Sequence, residues 1–404
     1  DRLRDDFIDA FPNNKDDVNR IFDINERMFV EMNSGTEAPK PPYEMSLLDL
    51  IKFGINNLRK KPTLMKYGMK NADVVLNKLT QNPLLSSALY SKGPFPMVYL
   101  AYAYRWSVVG KDYYPTDGMQ AIPDASVRSL TANGGVIKLN TEATEILIDK
   151  GKAIGIKTKN GDCYYAGSII SNVSPHFTYD LLPDSLTCKS KMKQRLEGKE
   201  IFPGICALFL SVKNDYDFGN TSCFSFLSST NYKDSYKDFT PENCPIEMVI
   251  YPQKTNDTYK AAVALLPIPY EYQNFWETNP KEERGKAYYK LKSEVTNIVL
   301  SRLDSSLGNG FRDSIVLSEL STPITFERYT HSKNGSFMGW AIDAKNYGKF
   351  MKQKTDIPNL YLCGQWVFPG FGVAGVMASG YYLAKDLLKL ENIDLERDFK
   401  NYFA

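Results

Sequence analysis

Three glycines near the end of the chain, Gly370, Gly372 and Gly375, stand in G-x-G-x-x-G spacing. Without a Cβ the backbone can come close to a ligand, and free N–H groups at a helix start favour negative charge. The spacing therefore suits a cradle for an anionic or phosphate-bearing ligand. The alternative is mechanical, with glycines that let a helix pack tightly on a strand. Other reactive residue types are scarce. With only His176 and His331 in the chain, a histidine-rich metal site is excluded. The six cysteines, Cys163, Cys188, Cys206, Cys223, Cys244 and Cys363, form no C-x-x-C and match no zinc spacing. They read as reduced thiols in a cytoplasmic setting. A Ser-His-Asp hydrolase lacks its G-x-S-x-G signature, because Gly335-Ser-Phe-Met-Gly339 has the wrong spacing.

The elements around the glycines decide how the motif is read. Leu360, Tyr361 and Leu362 form a short apolar strand, Gly364 and Pro369-Gly370 break it, and from Val373 the apolar spacing is helical. Strand, glycine turn and helix is the context a phosphate loop requires. A complete dinucleotide unit also needs a second strand ending in an acidic residue, and residues 392–403 offer only a charged tail. The expectation is half a phosphate site.

Earlier in the chain, residues 1–33 read as helical, with Val18, Ile21, Phe22, Met28, Phe29 and Met32 on one stripe, and Pro39 to Pro42 is a break. Helices continue over 46–110, with Leu47, Leu50, Ile51, Leu58, Leu84, Leu85 and Leu89 as core candidates. The aromatic stretch Phe95, Tyr99, Tyr102, Tyr104, Trp106, Tyr113, Tyr114 is either a core helix or the wall of a cavity for a flat, greasy molecule. Asp117, read as an N-cap, opens a helix that ends near Asn133-Gly134-Gly135. The period then changes to two: strands over 143–148, 153–158 and 163–166, with Asn160-Gly161 as a hairpin turn, predict a meander. Ile169-Ile170 leads into Ser171-Asn172. Strands follow at 205–212, 225–227, 248–251 and 261–266, then an amphipathic helix over 280–303 and a run at 315–320.

A length of 404 residues allows two or three domains. A net charge of +2 and the lack of a basic run give no reason to expect nucleic acid. No stretch reaches the roughly 18 apolar residues a membrane-spanning helix needs.

Three segments in this order resemble the larger, C-terminal part of the phytoene desaturase, carotenoid isomerase and retinol saturase family of flavin-dependent oxidoreductases, within the flavin amine oxidase-like superfamily. They are Asp117-Gly-Met-Gln-Ala-Ile through Gly134-Gly-Val-Ile-Lys-Leu-Asn-Thr-Glu-Ala-Thr-Glu-Ile-Leu-Ile148; Thr322-Pro-Ile-Thr-Phe-Glu-Arg-Tyr329 with Gly335-Ser-Phe-Met-Gly-Trp340; and Leu362-Cys-Gly-Gln-Trp-Val-Phe-Pro-Gly-Phe-Gly-Val-Ala-Gly375. The resemblance implies an α/β fold: an incomplete FAD-binding Rossmann-like domain with an inserted α+β substrate domain. Residues 1–116 would be the helical part of the substrate domain and 117–190 an FAD-domain segment with the meander. Residues 191–330 would be the substrate-domain sheet and helices and 331–404 the closing FAD-domain segment.

The resemblance further implies that Gly364, Gln365, Gly370, Gly372, Val373 and Ala374 face the ribityl chain and pyrimidine end of FAD, and that the Ala143 backbone meets adenine. The family's own G-x-G-x-x-G lies ahead of the point where this sequence starts. Three explanations stand: a segment removed or left out, a segment supplied as a separate chain, or loss of FAD; the retained glycines favour the first two. The implied reaction is hydride transfer between flavin and an apolar, polyene- or retinoid-like substrate. Saturation, desaturation and reduced-flavin cis–trans isomerisation all fit. A saturase needs a proton donor, for which Tyr329 and His331 are candidates; core packing for Tyr329 and an exposed loop for His331 are the alternatives. His176, after Ser174-Pro175, is expected near a helix start. A flavin amine oxidase and a flavin-free lipid-binding partner remain as other readings, and a peripheral membrane contact is expected through residues 95–114.

Overall fold

A computed structural model describes residues 2–34, 45–90, 97–107, 114–115, 117–187, 190–226, 238–252, 258–278, 283–308 and 310–393. The chain opens with helices α1 (Arg2–Ala10), α2 (Lys15–Asn33), α3 (Leu47–Lys60), α4 (Pro62–Tyr67), α5 (Ala72–Leu79), α6 (Pro83–Tyr90) and α7 (Tyr99–Ser107). Val18, Ile21 and Met28 of α2 pack with Val75, Leu76, Leu85, Leu89, Tyr99 and Tyr102 as one apolar cluster. The expected stripe on α2 thus covers a real core, and Tyr99 donates from its buried hydroxyl to Asn25 at 2.9 Å. Leu85 and Leu89 are buried as expected, but Leu47, Ile51 and Leu84 are exposed. The correction has a physical cause: α3 packs along α4, and its apolar arc has no cover among the described residues. Phe95, Tyr113, Cys188, Leu227, Pro280 and Pro39 to Pro42 lie outside the described residues, as do the side chains of Leu50, Leu58 and Trp106.

Helix α8 (Ala121–Ala132) buries none of its residues. Asp117 does not cap it, because Gly118 turns through φ +82° and the helix starts only after Gln120. Strands β1 (Ala143–Asp149), β2 (Lys152–Thr158) and β3 (Cys163–Tyr165) form the expected antiparallel meander. Strand β4 (Ile169–Ser171) leaves it to pair in parallel with the late strand β10 (Leu360–Leu362). Helices α9 (Pro175–Asp180) and α10 (Lys191–Glu197) pack beneath them; Tyr179, Leu182, Met192, Leu360, Leu362 and Trp366 share a second cluster.

Strands β5 (Cys206–Lys213), β6 (Cys223–Phe226), β7 (Ile246–Ile250), β8 (Tyr259–Leu266) and β9 (Ile315–Ser321) form an antiparallel sheet in the order β6-β7-β8-β5-β9. One face is covered by α11 (Lys286–Leu307) through Leu291, Val295, Val299 and Leu303. The helix starts later than its periodicity suggests because Gly285 is extended, and it stops at Gly308, where φ is +61°. Helix α12 (Pro323–Thr330) follows β9 and is capped by Thr322, whose hydroxyl accepts from the Thr325 N–H. Helix α13 (Val373–Leu390) closes the fold.

Asp356, although exposed itself, ties these layers. Its carboxylate accepts from the Tyr179 hydroxyl at 2.9 Å, the Ser190 hydroxyl at 2.8 Å and the Met192 N–H at 3.3 Å. Burial pulls its pKa up, but the bonds from Ser190, Tyr179 and Met192 outweigh it and hold the carboxyl below its usual value. A depressed carboxyl contributes stability that is present above its unfolded pKa and is lost as pH falls through the folded one. Asp356→Ala, which also strands the Tyr179 hydroxyl, is expected to cost about 2 kcal/mol in urea unfolding at neutral pH. The cost should shrink as pH falls below about 4.

Candidate functional site

The third glycine of the motif carries a packing role. A Cβ on Gly375 would sit 2.7 Å from the Gly370 carbonyl, and one on Gly370 would strike the Phe350 ring at 2.8 Å. Gly372 differs from both. It is the N-cap of α13 at φ +82°, and a Cβ built there meets nothing within 4 Å. Its left-handed backbone demands glycine and leaves open space in front of the helix start. Val373 and Ala374, in the first turn, are exposed, and first-turn N–H groups have no partners within a helix.

Behind the turn, Gly364 (φ +94°) donates its N–H to the Ser379 hydroxyl at 3.0 Å, and a side chain at 364 would collide with Asn172. Ser379 is fully buried and also accepts at its carbonyl from the Gln353 amide at 2.8 Å. One hydroxyl thus fixes the end of β10 against α13.

Beside the turn lies a cleft of about 320 Å³ lined by Asn172, Val173 and Ser174 after β4, Ile205 before β5, Phe326 and Thr330 of α12, then Ser332, Gly335, Ser336, Phe337, Gln365, Trp366 and Val376. Its walls come from segments flanking the β4–β10 pair and the five-stranded sheet and from both late helices. Ser174 caps α9 by accepting from the Phe177 N–H at 3.2 Å. The Gln365 amide donates to Ser332 at 3.4 Å, and the Trp340 indole donates to the Trp366 carbonyl at 2.7 Å. Among the described residues, none that lines it is an Asp, Glu, Lys, Arg or His. The polar lining consists of hydroxyls and amides, which orient a ligand without charging it.

His176 packs at 5.7 Å from Trp340 and 6.0 Å from Trp366, and its buried Nδ1 has no hydrogen-bond partner among the described residues. Burial, helped by the Lys333 charge, lowers its pKa from 6.5 to about 4. The unfolded chain therefore binds a proton that the folded chain refuses, and stability falls as pH drops from about 6.5 to about 4. Allowing for partial exposure, the loss should be about 1 to 2 kcal/mol. His176→Phe is expected to flatten that stretch of a stability-against-pH curve.

The structure gathers Gly364, Gln365, Gly370, Gly372, Val373 and Ala374 on one bend, with Gln365 on the cleft wall. Ala143 starts the meander and does not line the cleft. Tyr329 is 75% exposed, under Arg328. His331 caps α12 in a left-handed conformation and stacks on Phe177 at 4.1 Å. Neither is on the cleft wall. The segment 172–174 and Ser379 carried no functional reading in the sequence. Ser174-Pro175 was the available signal, since Ser at a cap before Pro at the first helical position is a helix start.

Residues 6–388 match the model of a family described as flavin containing amine oxidoreductase. Prolycopene isomerase 1, chloroplastic, from an Oncidium hybrid cultivar is 24% identical over 95% of this chain and 65% of its own length. All-trans-retinol 13,14-reductase from Rattus norvegicus is 24% identical over 69% of this chain and 49% of its own. The chain thus spans less than two thirds of these curated relatives. A redesigned putrescine oxidase has a similar fold, with a TM-score of 0.57 at 12% identity over 94% of this chain and 76% of that one.

Proposed function

The chain belongs to the flavin containing amine oxidoreductase family, and from that premise we propose an FAD-dependent oxidoreductase that transfers hydride between the flavin and a carbon of an apolar, polyene- or retinoid-like molecule. The carrying observation is the uncharged cleft beside the open glycine bend. A cationic amine would call for a carboxylate, which the described lining lacks, whereas Ile205, Phe326, Phe337, Trp366 and Val376 offer apolar walls. When bound, FAD supplies hydride exchange at its N5.

The chain's own residues would hold it. The Gly372–Ala374 backbone would meet the pyrimidine end with the positive end of α13. Gln365 and Asn172 offer amides at the cleft wall, and Trp366 and Phe337 exclude water from an apolar substrate. Anaerobic mixing of the FAD-loaded protein with retinoids, polyenes and amines tests this. Bleaching or product formation with the first two and none with amines is expected. Amine turnover alone would contradict it.

A specific observation favours reduced-flavin cis–trans isomerisation as the second reading: the described cleft wall offers no group that titrates near neutrality, whereas saturation needs a proton donor. Tyr329 and His331 remain our donor candidates for saturation. Tyr329→Phe and His331→Gln should lower a saturase rate and leave isomerisation unchanged.

The adenine end, toward Ala143, is proposed to be completed by polypeptide outside these 404 residues, either continuous with the chain or separate. Strand β4 has one paired edge among the described residues, and a two-stranded parallel pair covered on one face is not stable by itself. Ile170 of β4 is exposed, as are Val127 and Leu130 of α8 and Val136 and Leu139 after it. These apolar residues are the surface that such polypeptide would cover. Intact mass of the native protein with its bound nucleotide checks this: stoichiometric FAD on a 404-residue chain alone would contradict it.

A further inference from the structure

A second cavity, of about 270 Å³, lies across β10 from β4. Tyr361 of β10 pairs with Ile170 of β4 on one edge and bridges to Lys354 on the other, and the cavity is on the Lys354 side. It shares no lining residue with the cleft beside the glycine bend. One wall is Lys352 to Lys354 with Tyr361; the other is α13, through Leu383, Asp386, Leu387 and Leu390. Bonds within the fold tie the two walls together. Gln353 accepts at its carbonyl from the Leu362 N–H at 2.7 Å, and its side-chain amide donates to the Ser379 carbonyl of α13 at 2.8 Å. A cavity formed in advance spares its ligand the cost of ordering it.

The chemistry of the walls is divided. Leu383, Leu387 and Leu390 follow at spacings of four and three, which makes an apolar row about 10 Å long on one helix face. No helix among the described residues is long and apolar enough to cross a membrane, so this row is not part of a span. Lys354 and Asp386 stand on opposite walls with opposite charges, yet neither has an ion pair among the described residues. The Tyr361 hydroxyl likewise has no hydrogen-bond partner among them. Either charge alone would read as a solvated surface group. Together they border one cavity without meeting, beside a free phenol and an apolar row, and so match a small molecule that carries both charges and a greasy body.

We propose that this cavity binds an apolar amino acid as its zwitterion. The carboxylate lies against Lys354 and the Tyr361 hydroxyl, the ammonium against Asp386, and the side chain along the leucine row. Lys352, two residues from Lys354 on the same wall, adds to the positive side. A volume of about 270 Å³ holds about nine water-sized groups, which suits leucine or methionine. The proposal stands apart from the flavin reading. The cleft has no charged lining residue among those described, so the amino acid is a ligand of the second cavity and not a substrate.

Calorimetric titration of the native protein with leucine tests it. One site with a Kd of about 0.1 to 1 mM is expected. Isocaproate, which lacks the ammonium, and isoamylamine, which lacks the carboxylate, should each bind about tenfold more weakly. Lys354→Gln should weaken leucine and isocaproate about tenfold and leave isoamylamine unchanged. Asp386→Asn should weaken leucine and isoamylamine by the same factor and leave isocaproate unchanged. Both positions are exposed, so circular dichroism should not change. No saturable leucine binding below about 10 mM, or equal losses of all three probes in both variants, would overturn the proposal. So would bleaching of bound flavin by leucine, which would place the amino acid in the cleft.

Discussion

A Gly335→Val variant is expected to lose about 3 to 5 kcal/mol of folding stability, the largest single-residue effect this structure implies. Gly335 sits at φ +61°, and a Cβ there would overlap the Pro323 carbonyl, which is backbone and cannot turn aside. A β-branched side chain adds to the strain of the left-handed conformation. The turn has no slack to relieve it. The Glu327 carboxylate accepts from the Asn334 N–H at 2.8 Å and from the Tyr270 hydroxyl, and Ser336 accepts from the Gly339 N–H at 3.1 Å. Gly134→Val is the matched control, with φ +83° and nothing within 4 Å of its Cβ. Conformational strain alone should cost it about 1 to 3 kcal/mol. Urea unfolding of both separates overlap from strain, and equal losses would show that the turn can open without disturbing the cleft.

The second large effect separates cofactor affinity from stability. Ala374 is exposed in the first turn of α13, where a carboxylate is favourable to the helix. Ala374→Asp should therefore leave the protein as stable as before, or up to about 1 kcal/mol more stable. The same carboxylate would stand against the electron-rich pyrimidine edge of the flavin and compete for the same N–H groups. Affinity for FAD should fall by one to two orders of magnitude, the effect of a like charge that is only partly screened. A variant with unchanged flavin retention would mean that the cofactor does not lie over this helix start.

Much of the scaffold was legible because period and punctuation agree. Alternating residues in 143–158 and Asn160-Gly161 gave the meander, and the strand, break and helix at 360–388 gave the bend. The exposed face of α3 was not legible, since an apolar stripe is the same signal whether it covers a core or faces solvent. Leu47 and Leu85 look alike in sequence, and only tertiary packing separates them. The cleft was half legible. Gly364 to Ala374 are contiguous and carry a spacing, whereas Asn172 to Ser174, Phe326 and Ile205 reach the same wall from separate elements. No periodicity connects residues that meet only because β4 pairs with β10, some 190 positions on in the chain.

The open space before Gly372 is the point on which the functional reading turns, and titration of FAD into the native protein and a Gly372→Val variant tests it most directly. Both left-handed strain and blockage act at this position, so Gly134→Val again supplies the strain-only comparison. With the completing polypeptide present, the account predicts one FAD per native molecule, an affinity at least about a hundredfold weaker in Gly372→Val with unchanged circular dichroism, and no change in Gly134→Val. Equal affinity in native and Gly372→Val protein, or no FAD bound by the native protein, would contradict it.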